Sequence, residues 1–138
     1  MEYSCRFRMK LFDGAKIPFE PVDPKNFVGS ARVKRLPMVE DGRQSVVVYL
    51  VEFEPGGRTN WHRHSASQLL LIKEGSGFVQ KWGEPVRTIA AGDAICIEPG
   101  EKHWHGAASG TRMSHFAVNL TLTTEWLEPV SDDQYRAS

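Results

Sequence analysis

Short runs of β-branched and aromatic residues, separated by glycine and proline, dominate the chain from residue 28 onward. No stretch shows the sustained 3.6-residue apolar period that an amphipathic helix needs. The pattern predicts an all-β domain with strands at 28–36, 45–54, 59–64, 67–73, 76–82, 86–90, 94–98, 103–107 and 111–122. Strands at this spacing favour a sandwich or a barrel.

The turns and the two ends of the chain complete this outline. The segment Glu74–Gly77, which reads Glu-Gly-Ser-Gly, is typical of a hairpin turn. Residues 1–27 contain three prolines and predict an extended arm, laid over the domain or over a neighbouring subunit. We expect residues 28–123 to form the barrel. Residues 124–138 are predicted to be a terminal turn or helix of the same single domain.

Composition and charge exclude several classes of protein. Lys plus Arg and Asp plus Glu both total 17 in 138 residues, so no basic surface is expected for nucleic acid. No run approaches the roughly 20 apolar residues of a membrane span, and we expect a cytoplasmic protein. The two cysteines cannot build a disulfide framework, and Cys96, inside an apolar run, is predicted to be a small buried hydrophobe.

The five histidines carry the clearest chemical signal, because they fall in three small groups. These groups are His62 with His64, His103 with His105, and His115 alone. On a strand, residues 62, 64 and 68 point to the same face, so Gln68 can offer an amide oxygen beside two imidazoles. The second group follows a turn and could add a nitrogen from another strand. Imidazole suits Zn, Cu, Fe and Ni, and the amide oxygen also accommodates Mn, so ligand types alone do not choose the metal.

Further residues share a face with these histidines or lie opposite them. His115 shares its strand face with Ala117 and Asn119, which predicts a pocket lining in which His115 transfers a proton. The alternative is a hydrogen-bonded core histidine. His105 has the parity of His103 and could be a second base, a residue that supports the ligands, or an outward side chain. Trp61 and Trp104 have the opposite parity and are predicted to pack away from the ion.

The spacing of these residues resembles the two sequence motifs of the cupin family. In the first motif, G-x5-H-x-H-x3,4-E-x6-G, Gly56, His62, His64 and Gly75 match, and Gln68 takes the acidic position. In the second, G-x5-P-x-G-x2-H-x3-N, Gly92, Gly100 and His103 match. Glu98 and Ala107 replace its proline and asparagine. The resemblance implies a double-stranded β-helix, that is, a jelly-roll barrel, with Tyr49 and Val51 pointing inward. Tyr49 could donate a hydroxyl hydrogen bond, and the alternative is a packed aromatic wall.

Within the cupins, the chain resembles the small bacterial manganese-dependent hydroxynitrile lyases. The resemblance lies in Gln68 and in the segments 99–107, 113–115 and 133–136. This resemblance implies a homodimer and one divalent ion. Manganese is the expected ion, with Fe, Zn, Ni or Cu as alternatives. It implies that His62, His64, Gln68 and His103 bind the metal, and that His115 and His105 face a small-molecule substrate. The expected reaction is cleavage or formation of a cyanohydrin. Two alternatives remain open: an Fe(II)-type dioxygenase or oxidase, and a non-catalytic ligand-binding or sensory cupin.

Overall fold

The computed structural model describes residues 9–42 and 44–137 of the chain. In this part of the chain nearly all regular structure is β. The strands are β1 (Glu20–Pro21), β2 (Phe27–Val28), β3 (Ala31–Arg35), β4 (Val39–Asp41), β5 (Gln44–Phe53), β6 (Arg58–Thr59), β7 (His62–His64), β8 (Gln68–Lys81), β9 (Arg87–Ala90), β10 (Ala94–Ile97), β11 (His103–Ala107), β12 (Met113–Leu120) and β13 (Thr124–Trp126). A 3₁₀ turn spans Gly14–Lys16, and the helix α1 spans Asp132–Arg136.

The strands pair antiparallel in two sheets that share the long strand β8. In the first sheet β1, β3, β5, β12, β8 and β10 lie side by side, and β4 extends the pairing of β5. In the second sheet β2, β6, β11, β8 and β9 are neighbours, and β7 lies between β11 and β13. The sheets curl over each other into a jelly-roll barrel. The prediction of an all-β double-stranded β-helix is confirmed.

The predicted hairpin turn at Glu74–Gly77 is wrong, because β8 runs through this segment without reversing. Its first half pairs with β12 in the first sheet, and its second half pairs with β11 in the second sheet. The pairing register shifts between Ser114 and His115 at this bend. A Cβ at Gly75, where φ is +78°, would collide with the carbonyl of Arg112. The glycines therefore let two backbones approach closely while the strand passes from one sheet to the other.

Other strand boundaries differ for local reasons. The predicted strand 28–36 is interrupted between β2 and β3, and the predicted strand 59–64 is interrupted between β6 and β7. At the second interruption Asn60 donates its amide to the carbonyls of Lys25 and Leu127. Strands β1, β4 and β13 were not predicted, because two or three residues are too few to show a period.

The two ends of the described chain pack on the barrel in different ways. In the N-terminal part β1 pairs with β3 at a sheet edge, and the first eight residues lie outside the described range. At the C-terminus Arg58, 5% exposed, donates to the carbonyl of Val130 and pairs with Asp132 at 2.9 Å. The Tyr135 hydroxyl donates to the carbonyl of Ala107. These contacts hold the tail, including α1, against the second sheet.

Most of the buried apolar side chains form clusters around the barrel interior. Phe53, Ile72 and Met113 belong to one cluster, and Trp61 and Trp104 pack with Val130 of the C-terminal tail in another. The two tryptophans therefore pack away from the histidines, as predicted. Cys96 does not behave as predicted, because it is exposed on the outward side of β10. No helix among the described residues has the length and apolar character needed to cross a membrane.

Candidate metal and substrate site

Three histidines meet where β7 pairs with β11. His62 and His64 point inward from β7 while Arg63 between them is exposed, and His103 lies opposite His62 in the pairing. The ring centroids of His62 and His103 are 4.2 Å apart, and those of His62 and His64 are 5.0 Å apart. Ligand atoms of His62, His64 and His103 all lie within 4.8 Å of one another. These three side chains could hold a metal ion.

Hydrogen bonds orient two of these rings toward a common point. Nδ1 of His62 donates to the carbonyl of Asn60 at 2.8 Å, and Nδ1 of His103 donates to the carbonyl of Glu101 at 2.8 Å. Because a carbonyl only accepts, the proton lies on Nδ1 and the lone pair lies on Nε2. The Nε2 atom of His103 is buried and has no hydrogen-bond partner among the described residues. A buried, unpartnered lone pair is what a metal ligand requires.

Gln68, the predicted fourth ligand, lies beside His64 at the start of β8. Its Oε1 accepts a hydrogen bond from Nε2 of His64 at 3.1 Å, and its amide nitrogen donates to Oδ1 of Asn119 at 2.8 Å. Nδ1 of His64 lies 2.9 Å from the hydroxyl of Thr124. The hydrogen bond that Gln68 donates to Asn119 fixes the carboxamide with its oxygen toward His64. A cation would take the place of the hydrogen shared by His64 and Gln68.

Burial keeps the three imidazoles in the neutral form that binds metals. Desolvation lowers the pKa of His62 well below its usual value, and repulsion from His103 lowers it further. Desolvation also lowers the pKa of His64, and it lowers the pKa of His103 to about 4. All three rings are therefore neutral imidazoles near pH 7, and none carries the second ring proton of the cationic form.

A second histidine pair lies beside the first group. His105 on β11 and His115 on β12 have ring centroids 4.9 Å apart, and His105 lies 5.6 Å from His62. His105 therefore points inward rather than to solvent. Within the described chain, neither nitrogen of His115 nor Nδ1 of His105 has a hydrogen-bond partner. The one polar contact of His115 in this part of the chain is a weak one with the backbone of Phe116, so His115 is buried without the well-formed hydrogen bonds of an ordinary core histidine.

The second pair is also neutral. Desolvation lowers the pKa of His115 to about 4. For His105, desolvation is again the main cause and lowers the pKa well below the usual value, with a further contribution from His115. A neutral imidazole can accept a proton, so each ring has the protonation state of a general base at neutral pH.

These groups open into one cavity of about 450 Å³. Its wall includes the four predicted pocket residues, Tyr49, Val51, Ala117 and Asn119, together with His62, His64, Gln68, His105 and His115. His103 does not line this cavity and instead borders a smaller pocket of about 130 Å³. The residues that the sequence predicted for a metal and for a substrate therefore lie in one region.

Several lining residues were missed by sequence reasoning, among them Trp126, Phe27 and Arg35. Trp126 on β13 lies with its ring 4.7 Å from that of His62, Phe27 lies 5.6 Å from Trp126, and Arg35 lines the cavity from the end of β3. Trp126 and Phe27 fall in segments predicted to be a tail and an arm. Their aromatic character was the available signal, but only the pairing of β13 with β7 and of β2 with β6 places them at the site.

A model of the cupin domain matches residues 49–119, which is more than half of the chain. The chain belongs to the cupin family. This cupin is 42% identical over 113 residues to an (R)-mandelonitrile lyase of Granulicella tundricola, covering 80% of the chain and 86% of that protein. It is 36% identical over 81 residues to the dimethylsulfoniopropionate lyase DddW of Ruegeria pomeroyi, covering 59% of the chain and 51% of that protein.

A solved structure supports the same assignment. The crystal structure of a cupin-like protein from Thermotoga maritima has a TM-score of 0.78 and 35% identity, covering 93% of this cupin and 96% of that chain. Since both curated relatives are named as lyases, this cupin is a lyase-like member of the family.

Proposed function

We propose that this cupin is a metal-dependent lyase that cleaves and forms cyanohydrins. The observation that carries the proposal is the position of the neutral His105–His115 pair, which lies next to the three-histidine group and shares one cavity with His62 and His64. The identity of 42% to an (R)-mandelonitrile lyase supports this choice of substrate. The iron-dependent oxidase and the non-catalytic cupin remain the alternatives.

The residues fit a divalent ion. His62, His64 and His103 supply neutral imidazoles, Nε2 of His103 is buried without a partner in the described chain, and Gln68 supplies an amide oxygen beside His64. We propose manganese as the ion, because the chain resembles the manganese-dependent hydroxynitrile lyases and the glutamine oxygen accommodates this ion, with Fe, Zn, Ni or Cu as alternatives. When bound, the ion would act as a Lewis acid toward the substrate hydroxyl.

The second histidine pair would handle the proton. His115, with His105 as the alternative, accepts the hydroxyl proton of the cyanohydrin as the bond between the carbinol carbon and the nitrile carbon breaks. The electron pair of that bond leaves with cyanide, and the carbinol carbon becomes the carbonyl of an aldehyde. The protonated imidazole then returns its proton to cyanide, which gives hydrogen cyanide and restores the neutral ring.

The cavity wall would position the rest of the substrate. Val51 and Ala117 give it apolar surface on neighbouring strands, and Tyr49 covers the same side with an aromatic ring. Because His115 pairs with Val51, this apolar surface lies directly beside the proposed base. A one-ring substrate such as mandelonitrile suits a cavity of about 450 Å³.

The test is cyanide release from mandelonitrile by the manganese-loaded protein. We expect release above buffer that is lost in His115→Phe and kept in the control Arg63→Ala, since Arg63 is exposed and pairs with Glu125. No release above buffer would refute the proposal. Oxygen consumption by the iron-loaded protein would favour the oxidase instead, and saturable ligand binding without turnover would favour the non-catalytic cupin.

A further inference from the structure

The three proposed ligand histidines differ in the group that faces their Nδ1 atom. Nδ1 of His62 and Nδ1 of His103 each face a backbone carbonyl, at 2.8 Å in both cases. Nδ1 of His64 instead faces the hydroxyl of Thr124, at 2.9 Å. Thr124 reaches this position because β13 pairs with β7 and places Thr124 opposite His64. His64 is therefore the one ligand of the three whose Nδ1 is held by a side chain.

A carbonyl and a hydroxyl hold a neutral imidazole in different ways. A neutral imidazole has one N–H donor and one nitrogen lone pair. A carbonyl only accepts, so it keeps the N–H on the nitrogen that faces it, whereas a hydroxyl can either accept or donate. Thr124 therefore allows His64 both of its neutral forms, whereas the carbonyls allow His62 and His103 only the form with the proton on Nδ1.

The contacts of His64 show which neutral form its ring takes in this structure. Its Nε2 donates to Oε1 of Gln68 at 3.1 Å, and Gln68 presents this oxygen because its amide nitrogen donates to Asn119 at 2.8 Å. With the N–H on Nε2, the lone pair lies on Nδ1, and the Thr124 hydroxyl is the donor. An ion bound at Nε2 needs the lone pair there, so the N–H has to change to Nδ1, from which the Thr124 hydroxyl then accepts.

We propose that Thr124 is a positioning residue that lets His64 exchange one neutral form for the other when an ion binds. The proton on Nε2 leaves to water, Nδ1 takes a proton from water, and the ring is neutral before and after. The hydrogen bond between Nδ1 and Thr124 is stronger in the second form, because a cation on the same ring polarises the N–H. The hydroxyl therefore adds to the affinity for the ion. This inference rests on the metal site of the proposed function, but not on its reaction.

Calorimetric titration with manganese measures the contribution of the hydroxyl. Thr124→Val keeps the shape of the side chain and removes the hydroxyl, and we expect it to lower the affinity by roughly tenfold or more. Thr124→Ser keeps the hydroxyl and should bind manganese nearly as well as the unmodified protein. The matched control is Thr123→Val, because Thr123 is exposed and bonds Ser65 through its backbone. An unchanged affinity in Thr124→Val, or an equal loss in Thr124→Ser, would overturn the proposal.

Nitrogen NMR of isotopically labelled histidines observes the two forms directly in the unmodified protein. We expect His64 to carry its proton on Nε2 in the metal-free protein and on Nδ1 in the protein loaded with zinc, the diamagnetic probe. His62 and His103 should carry it on Nδ1 in both samples. A proton on Nδ1 of His64 in both samples would overturn the exchange.

The same measurements separate this inference from the proposed reaction. If the unmodified protein binds no manganese, the metal site and this inference are refuted together. If manganese affinity depends on Thr124 but no cyanide is released from mandelonitrile, the lyase proposal fails and the role of Thr124 stands.

Discussion

Replacing His115 with phenylalanine should stabilise the metal-free protein while abolishing its activity. His115 is 1% exposed, packs against Phe53 at a centroid distance of 5.7 Å, and has two buried nitrogens without a partner in the described chain. An apolar ring of similar shape removes the cost of burying those nitrogens, which is about 1–3 kcal/mol. We expect a gain in the free energy of unfolding of this order at pH 7.

The same substitution should show a defined pH dependence. Burial lowers the pKa of His115 from the usual 6.5 to about 4, so the unfolded chain binds the proton more readily than the folded chain between these values. Protonation of His115 therefore favours the unfolded chain, and the unmodified protein loses stability as the pH falls from 6.5 toward 4. Between pH 7 and pH 5 the unmodified protein should lose about 2 kcal/mol relative to His115→Phe.

Urea unfolding of both metal-free proteins at the two pH values measures this difference. The matched control is Ser114→Ala, because the neighbouring Ser114 also buries a polar atom without a described partner but does not titrate in this range. Its effect on stability should be the same at both pH values. If the difference between His115→Phe and the unmodified protein does not grow between pH 7 and pH 5, burial does not hold His115 neutral and the reasoning is refuted.

Three further predictions concern the metal, the bend in β8 and assembly. Manganese at 100 times its Kd should raise the Tm of the metal-free protein by roughly 10 °C. His103→Ala should abolish this increase in Tm, whereas the control Arg63→Ala should keep it. An unchanged increase in His103→Ala would exclude this site. Gly77→Ala should lower the free energy of unfolding in urea by about 2–3 kcal/mol, because the added Cβ would collide with the carbonyl of Gly106. In the control Gly110→Ala the added Cβ faces open space, so the free energy of unfolding should change little. The homodimer stays a prediction: light scattering should give twice the mass of one chain, and the mass of a single chain would contradict it.

The sequence by itself determined which residues make up much of the candidate site. His62 and His64 share a face because side chains alternate along a strand, a local rule that holds without knowledge of the fold. The same rule placed Ala117 and Asn119 beside His115, and the structure puts all three on the cavity wall. Short runs of β-branched and aromatic residues, interrupted by glycine and proline, likewise determined the all-β class.

Tertiary structure decided what depends on pairing between distant segments. The glycines near residue 75 look like a turn in the sequence, and only the pairing of β8 with both sheets shows that the strand continues. Trp126 and Arg35 enter the cavity because β13 pairs with β7 and β3 pairs with β5, contacts that no local pattern encodes. The direction of His105 was open for the same reason: alternation tells which residues share a face, whereas the closure of the barrel decides which face is inside.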